Sequence, residues 1–270
     1  MALVDLHMHT KYSDGILEPA ELIDLAKKNN VEIMSINDHD TVRGVMNMLS
    51  LECSGITVLC GIECSSRWDN VSMHITGYFP RDTDFQEVQK KLQETVANPR
   101  IERGKKIVEN LRNAGMRISW EEVMQHCQNC LPSRPRIAEV LVQNGYGSTV
   151  AEVFDQYLTS DSPYYVPGKY PSPEEVVKFI HSFHGIACLA HPWLLRSIDP
   201  VLQHIVTIGM DGMECFPPAH HAETGTSRYI DFAHIHGLMA TSGSDYHGTK
   251  DPEVIPGHNI FPADEKEKTM

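Results

Sequence analysis

Leu3-Val4-Asp5-Leu6-His7-Met8-His9 is the stretch whose reading decides the fold. A period of two puts Val4, Leu6 and Met8 on one face of a strand and Asp5, His7 and His9 on the other. Two imidazoles spaced in this way on one strand can reach a single metal ion. The chain holds 15 histidines, so an HxH alone is a weak signal. Its place at the end of the first apolar strand strengthens it.

Outward from this strand, the chain alternates. Residues 19–30 carry a helical apolar stripe, 31–36 read as a strand, 41–50 as a helix, and 56–62 and 71–79 as further strands. Between residues 84 and 160 the pattern changes to long helical periodicities with no strand. Alternation then resumes, with helices at 173–183, 200–208 and 228–236 and strands at 185–189, 212–216 and 238–242. Repeated βα units predict a mainly parallel sheet, closed as a barrel of fewer than eight units. The expected division is a barrel of residues 1–83 and 161–260, with 84–160 a helical insertion capping its active site.

Bulk properties fit one soluble chain. The 270 residues can bury a large core, and no apolar run approaches the roughly 20 residues that span a bilayer. The N-terminus has no basic region ahead of an apolar run, so the expectation is a cytoplasmic protein. With 23 Lys and Arg against 36 Asp and Glu, the net charge of −13 argues against a partner such as long duplex nucleic acid. It leaves room for a short nucleotide held by cations and a few arginines. Seven scattered cysteines read as free thiols. Cys127 and Cys130 lack a second pair that would make a zinc site, and His234 and His236 fall in a helical stretch where i and i+2 diverge.

In such barrels reactive groups gather where strands stop. Here they are Asp38 and His39 after the second strand, Glu63 at the third, His74 within the fourth, His191 after Leu189, and Asp245 and His247 after the last. Asp245 and His247 repeat the spacing of His7 and His9, and in a closed barrel the two pairs meet across the seam. Of Asp38 and His39, one is expected to ligate and the other to orient or touch substrate. Mixed imidazole and carboxylate ligands suit Zn, Mn or Fe.

The segments LHMHTKYSDG, INDHD, GIECS, MHITGY, LAHP and SGSDYHG, in this order from His7 to Gly248, resemble the PHP (polymerase and histidinol phosphatase) family. The resemblance implies a distorted (β/α)7 TIM-like barrel with two or three divalent ions (Mn, Fe or Zn), the full centre being trinuclear. Among its branches, the stand-alone phosphoesterases that cleave nucleoside 3′,5′-bisphosphates or trim short RNA from the 5′ end are the most similar. The family pattern assigns His7, His9 and Asp245 to a first metal, Glu63 as a bridge, His74 and His191 to a second metal, and Asp14, His39 and His247 to a third. Many members carry His where this chain has Asp14. Glu63, His191, Asp245 and Asp38 are the expected catalytic set, acting through water activated between cations for in-line attack without a phospho-enzyme.

Within the insertion, Ser133-Arg134-Pro135-Arg136 resembles a signature of the nucleotide branch in which His is usual at position 136. Arg134 is the first candidate for a phosphate contact, followed by Arg136 and Lys169, because a guanidinium grips phosphate bidentately. His221 follows another strand end and is a candidate pocket residue. The expected partner is a small phosphorylated substrate, a nucleotide or short RNA; oligomeric state stays open. Competing readings are a histidinol-phosphate-type phosphatase, an amidohydrolase-type C–N hydrolase, which also uses HxH on strand one, and a non-catalytic metal-binding module.

Overall fold

The computed structural model describes residues 3–127, 130–195, 198–217, 226–248 and 254–257. Among them seven strands form one sheet in sequence order: β1 (Leu3–Met8), β2 (Val31–Ile36), β3 (Thr57–Trp68), β4 (Val71–Phe79), β5 (Ile186–Leu189), β6 (Gly212–Phe216) and β7 (Met239–Ser242). The helices are α1 (Pro19–Lys28), α2 (Arg43–Met48), α3 (Phe85–Leu92), α4 (Asn98–Asn113), α5 (Trp120–Cys127), α6 (Arg134–Gln143), α7 (Val150–Tyr157), α8 (Pro173–His181), α9 (Ile198–Thr207) and α10 (Thr226–His236). A π-helical turn, Gln93–Ala97, joins α3 to α4.

Helix starts follow local chemistry. Glu18 and Glu21 form a capping box ahead of Pro19, and Ser172 and Glu175 do the same ahead of Pro173. Both satisfy orphan N–H groups at a first turn where proline's missing N–H costs nothing. Ser133 caps α6 by accepting from the Arg136 N–H.

β1, β2 and β3 run parallel, as do β5, β6 and β7, but β4 runs antiparallel to both β3 and β5. β3 also runs on to Trp68, so Glu63 lies within the strand and not at its end. The β3–β4 pair thus continues as a hairpin arm beyond the last residues of β2, and reversal brings the N-terminal half of β4 to the C-terminal side of its neighbours. The barrel closes through the segment after β7: the Asp245 N–H donates to the His7 carbonyl (2.8 Å) and the His9 N–H to the Tyr246 carbonyl (2.9 Å). Asp5, fully buried, braces this seam by accepting from the Ser244 and Gly257 N–H groups. The result is the distorted seven-stranded TIM-like barrel expected.

The chain falls into two compact units, Met1–Gln89 with Pro171–Met270, and Lys90–Tyr170. The first has its core in strand residues such as Met8, Met34, Ile36, Ile62 and Ile75. The second is helical and has a core of its own around Ile107, Leu111, Val123, Ile137, Leu141 and Val153, against which Tyr164 and Val166 also pack. That packing carries the unit past residue 160. All seven cysteines are free thiols, and among the described residues no helix is long and apolar enough to cross a membrane.

Ile75, on the reversed strand, has no exposed surface. Ile75→Ala is expected to cost about 2–5 kcal/mol of unfolding free energy through lost burial and the cavity left behind. Urea denaturation of the two proteins checks this, and a loss under about 1 kcal/mol would place Ile75 outside the close-packed core.

Candidate metal centre

Glu63 is fully buried, and five imidazoles close on its two oxygens. Oε2 faces His7 Nε2 at 3.2 Å, His9 Nε2 at 3.3 Å and His39 Nδ1 at 2.9 Å. Oε1 faces His74 Nδ1 and His191 Nε2, both at 2.8 Å. Pairing of Ser65 with His74 and of Glu63 with Thr76 sets Glu63 and His74 as diagonal neighbours on one face of the sheet. The reversal of β4 explains why a histidine within a strand, not after it, reaches the centre.

Ring nitrogens also confront one another: His9 Nε2 stands 3.2 Å from His7 Nε2, and His74 Nδ1 3.3 Å from His191 Nε2. Lone pairs at this separation repel unless a proton or a cation lies between them. Glu63 Oε2 is buried without a hydrogen-bond partner although three ring nitrogens surround it. A buried anion that meets its neighbours at a common point, and not along hydrogen-bond directions, is a donor set that fits a cation.

Three sets of side chains place one ligand atom each within 4.8 Å of the others: His7, His9, Glu63 and Asp245; His39, Glu63 and His74; and His9, Asp14, His39 and His247. Asp245 Oδ1 lies 3.0 Å from His9 Nε2 and 3.5 Å from His7 Nε2. Asp14 Oδ1 is 3.3 Å from His247 Nε2, and its Oδ2 is 3.7 Å from His39 Nε2. His9 and His247 stack at 4.0 Å between ring centroids. Pairs from the first strand and from beyond the last do meet across the seam.

A surrounding layer fixes these rings. His7 Nδ1 donates to Glu214 Oε1 at 2.7 Å, which leaves Nε2 directed at the centre. The other Glu214 oxygen accepts the His191 backbone N–H at 2.6 Å. His247 Nδ1 donates to the Asp245 carbonyl at 2.7 Å, again freeing Nε2. Both Asp38 oxygens are taken, Oδ1 by the Thr10 N–H and the Ser13 hydroxyl and Oδ2 by the Thr10 hydroxyl, at 2.7–2.8 Å. Asp38 therefore pins the loop that carries Asp14, the orienting role that one of Asp38 and His39 was expected to take. Asp40 holds the Ser65 N–H and hydroxyl, both at 2.8 Å.

Backbone strain gathers here. Asp40, His191 and Asp245 have φ of 54°, 29° and 56°. Left-handed non-glycine residues of this kind cost about 1–3 kcal/mol each and persist where surrounding contacts overrule them. Gly243 is a different constraint: a Cβ there would stand 2.2 Å from His7 Cβ, so only glycine lets the closing segment approach β1.

Electrostatics follow from the same packing. Burial works against the charged His7 ring, yet Glu214, Glu63 and Asp245 hold its proton affinity well above the ordinary value. Burial is likewise outweighed at His39, which Glu63, Asp14 and Asp40 push up to about 10. Glu63, despite burial, is held well below the usual carboxylate range by His39, His74 and His7. Asp14 and Asp245 are lowered too, against burial, by the histidines around them.

Of the expected substrate contacts, Arg134 donates to the Leu158 carbonyl at 2.9 Å and lies over the rings of Phe154 and Tyr165. Arg136 pairs with Glu139 at 2.9 Å. Lys169 is exposed. His221 lies outside the described residues. His234 and His236 belong to α10, in the stretch expected to be helical. Glu214 was missed: it lies in a short apolar strand where nothing but its charge amid Met213, Cys215 and Phe216 marks it, and that charge is the signal that could have found it.

The fold and the site define a βα-barrel protein whose strands converge on clusters of His, Asp and Glu able to hold metal ions. The PHP domain matches residues 5–158. A 3′,5′-nucleoside bisphosphate phosphatase of Chromobacterium violaceum is 30% identical over 96% of this chain and 92% of its own length. A 5′-3′ exoribonuclease, Rnm, of Salmonella typhimurium is 30% identical over 91% of this chain and 85% of its own. A solved structure from Chromobacterium violaceum, described as an amidohydrolase with bound sulfate and no metal, superposes with a TM-score of 0.77 at 29% identity, covering 97% of this chain and 93% of that one. This chain belongs to the PHP family, and it is a metal-dependent phosphoesterase, a hydrolase of phosphate esters.

Two outcomes test the centre. Glu214→Gln keeps the shape of the side chain but removes the charge behind His7, and metal affinity should fall about 10–100-fold with the fold intact. Titration calorimetry with Mn²⁺ reads it, and unchanged affinity would remove Glu214 from the support of the site. The second concerns metal-free protein. Raised His39 contributes stability present below its unfolded value near 6.5 and lost as pH rises toward 10; lowered Glu63, Asp14 and Asp245 contribute stability present above about 4 and lost as pH falls through their folded values. Metal-free protein is thus expected to melt highest between about pH 4.5 and 6.5. A melting temperature that climbs steadily to pH 9 contradicts this.

Proposed function

We propose that the chain removes phosphate from a small nucleotide of the nucleoside 3′,5′-bisphosphate type, or from the 5′ end of a short oligonucleotide, with two or three Mn, Fe or Zn ions held at this centre. The observation that carries the reading is the Glu63 carboxylate, buried with one oxygen turned to His7, His9 and His39 and the other to His74 and His191. Its two oxygens suit a bridge between cations. His7, His9 and Asp245 would complete one position, His74 and His191 a second, and Asp14, His39 and His247 a third.

Divalent ions at such a site lower the pKa of water and neutralise phosphoryl charge in the transition state. The chain's own part is orientation. Glu214 fixes the His7 tautomer and the His191 backbone, the Asp245 carbonyl fixes His247, and Asp38 fixes the loop bearing Asp14. Glu63, His191 and Asp245 are the proposed catalytic residues. Arg134, Arg136 and Lys169 are the proposed phosphate contacts.

Support for the nucleotide substrate comes from the phosphatase and exoribonuclease named above. Sulfate, a tetrahedral dianion like phosphate, is bound in the Chromobacterium violaceum structure.

The experiment is phosphate release with Mn²⁺ from a nucleoside 3′,5′-bisphosphate, a nucleoside monophosphate, histidinol phosphate and a short 5′-phosphorylated RNA. Release from the bisphosphate or the RNA supports the reading, and release from histidinol phosphate alone overturns it. Glu63→Gln should lower turnover by more than about 100-fold together with the bound metal. Full activity in that variant would remove Glu63 from the centre.

A further inference from the structure

Near the metal centre, a cation faces solvent with no anion paired to it among the described residues. Tyr12 lies in the loop after β1, two residues before Asp14, and that loop is pinned through Thr10 and Ser13 to Asp38. Arg43 opens α2, four residues after His39. The start of α2 is pressed onto the same loop: a Cβ at Gly44 would stand 2.0 Å from Asp38 Oδ2 and 2.9 Å from Thr10 Oγ1. Arg43 and Tyr12 meet there, the guanidinium carbon 5.1 Å from the ring centroid.

Neighbouring Lys11 is neutralised by Glu18. Arg43 is exposed, and among the described residues no carboxylate pairs with it. In a chain of net charge −13 an unpaired cation at this rim stands out. The ring beneath it restricts the guanidinium by cation–π contact, so less freedom is lost when it grips an anion. The nearby centre is itself rich in carboxylates, Asp14, Glu63 and Asp245, which repel any anionic group of a substrate that is not directly engaged by cations.

From these observations we infer that Arg43, seated on Tyr12, binds the second, uncleaved phosphate of the substrate and so sets the preference for doubly phosphorylated nucleotides. This rests on the nucleotide reading above. The guanidinium fork supplies two parallel N–H donors to one phosphate, a geometry lysine does not reproduce. Tyr12 is the platform that aims the fork.

The test is steady-state kinetics with Mn²⁺ on a nucleoside 3′,5′-bisphosphate and on the 3′- and 5′-monophosphates of the same nucleoside. In Arg43→Gln the ratio of kcat/KM for the bisphosphate to that for the better monophosphate should fall roughly 10- to 100-fold, chiefly through KM. Tyr12→Phe, which keeps the ring, should hold the ratio, and Tyr12→Ala should lower it in part. Lys28→Gln, at the exposed end of α1, controls for net charge and should leave the ratio at the wild-type value. If Arg43→Gln lowers both substrates equally or neither, while wild type cleaves the bisphosphate, the inference about Arg43 is overturned and the nucleotide reading stands. If wild-type protein loaded with Mn²⁺ cleaves none of the three, both fall together.

Discussion

Placing a carboxylate with no exposed surface among five imidazoles is a demand that the rest of the barrel must meet. Glu63 can stay charged at that depth only because positive or polarisable groups face both of its oxygens. Those groups come from four separate parts of the chain: the end of β1, the turn after β2, the reversed β4 and the turn after β5. A local fold could not assemble them. A closed sheet can, because neighbouring strands deliver side chains to one end at about 4.8 Å spacing.

Several features that look unrelated serve that demand. Reversal of β4 places His74 opposite Ser65 and one diagonal from Glu63. Positive φ at His191 and Asp245 turns two ligand candidates inward immediately after their strands. Glycine at 243 admits the closing segment against His7. Each is unfavourable or restrictive in isolation, and each recurs at the same end of the barrel. Glu214 links two of them, since one oxygen fixes the His7 ring and the other holds the strained His191 backbone. A single carboxylate that satisfies two such groups makes their positions depend on one another.

Most of the strand and helix order was legible because burial periodicity survives in sequence. β4 and β6 end where alternation and turn residues place them. The direction of β4 was not legible: a period of two is the same in either orientation, and only pairing across the sheet distinguishes them. The same ignorance left His74 looking misplaced within a strand. The continuation of β3 to Trp68 escaped for a related reason, because Cys64, Ser65 and Ser66 carry no apolar alternation and are buried by their partner strand. In the centre itself, groups at strand ends were readable from chain position, whereas the layer behind them was not. Glu214 acts on His7 and His191 from another strand, and a sequence shows the charge without the partner.

That difference between depth and rim bears on how substrate choice is divided. The buried groups are locked by backbone hydrogen bonds and strain, so a change in any of them disturbs several others. The Arg43 side chain is exposed and outside those hydrogen bonds. A barrel can therefore keep one hydrolytic centre while exchanging the groups that meet the rest of the substrate. This is the pattern expected when relatives of about equal identity to one chain carry the names of a nucleotide phosphatase and an exoribonuclease. Both names describe hydrolysis at a phosphate ester. They differ in what lies beyond that phosphate.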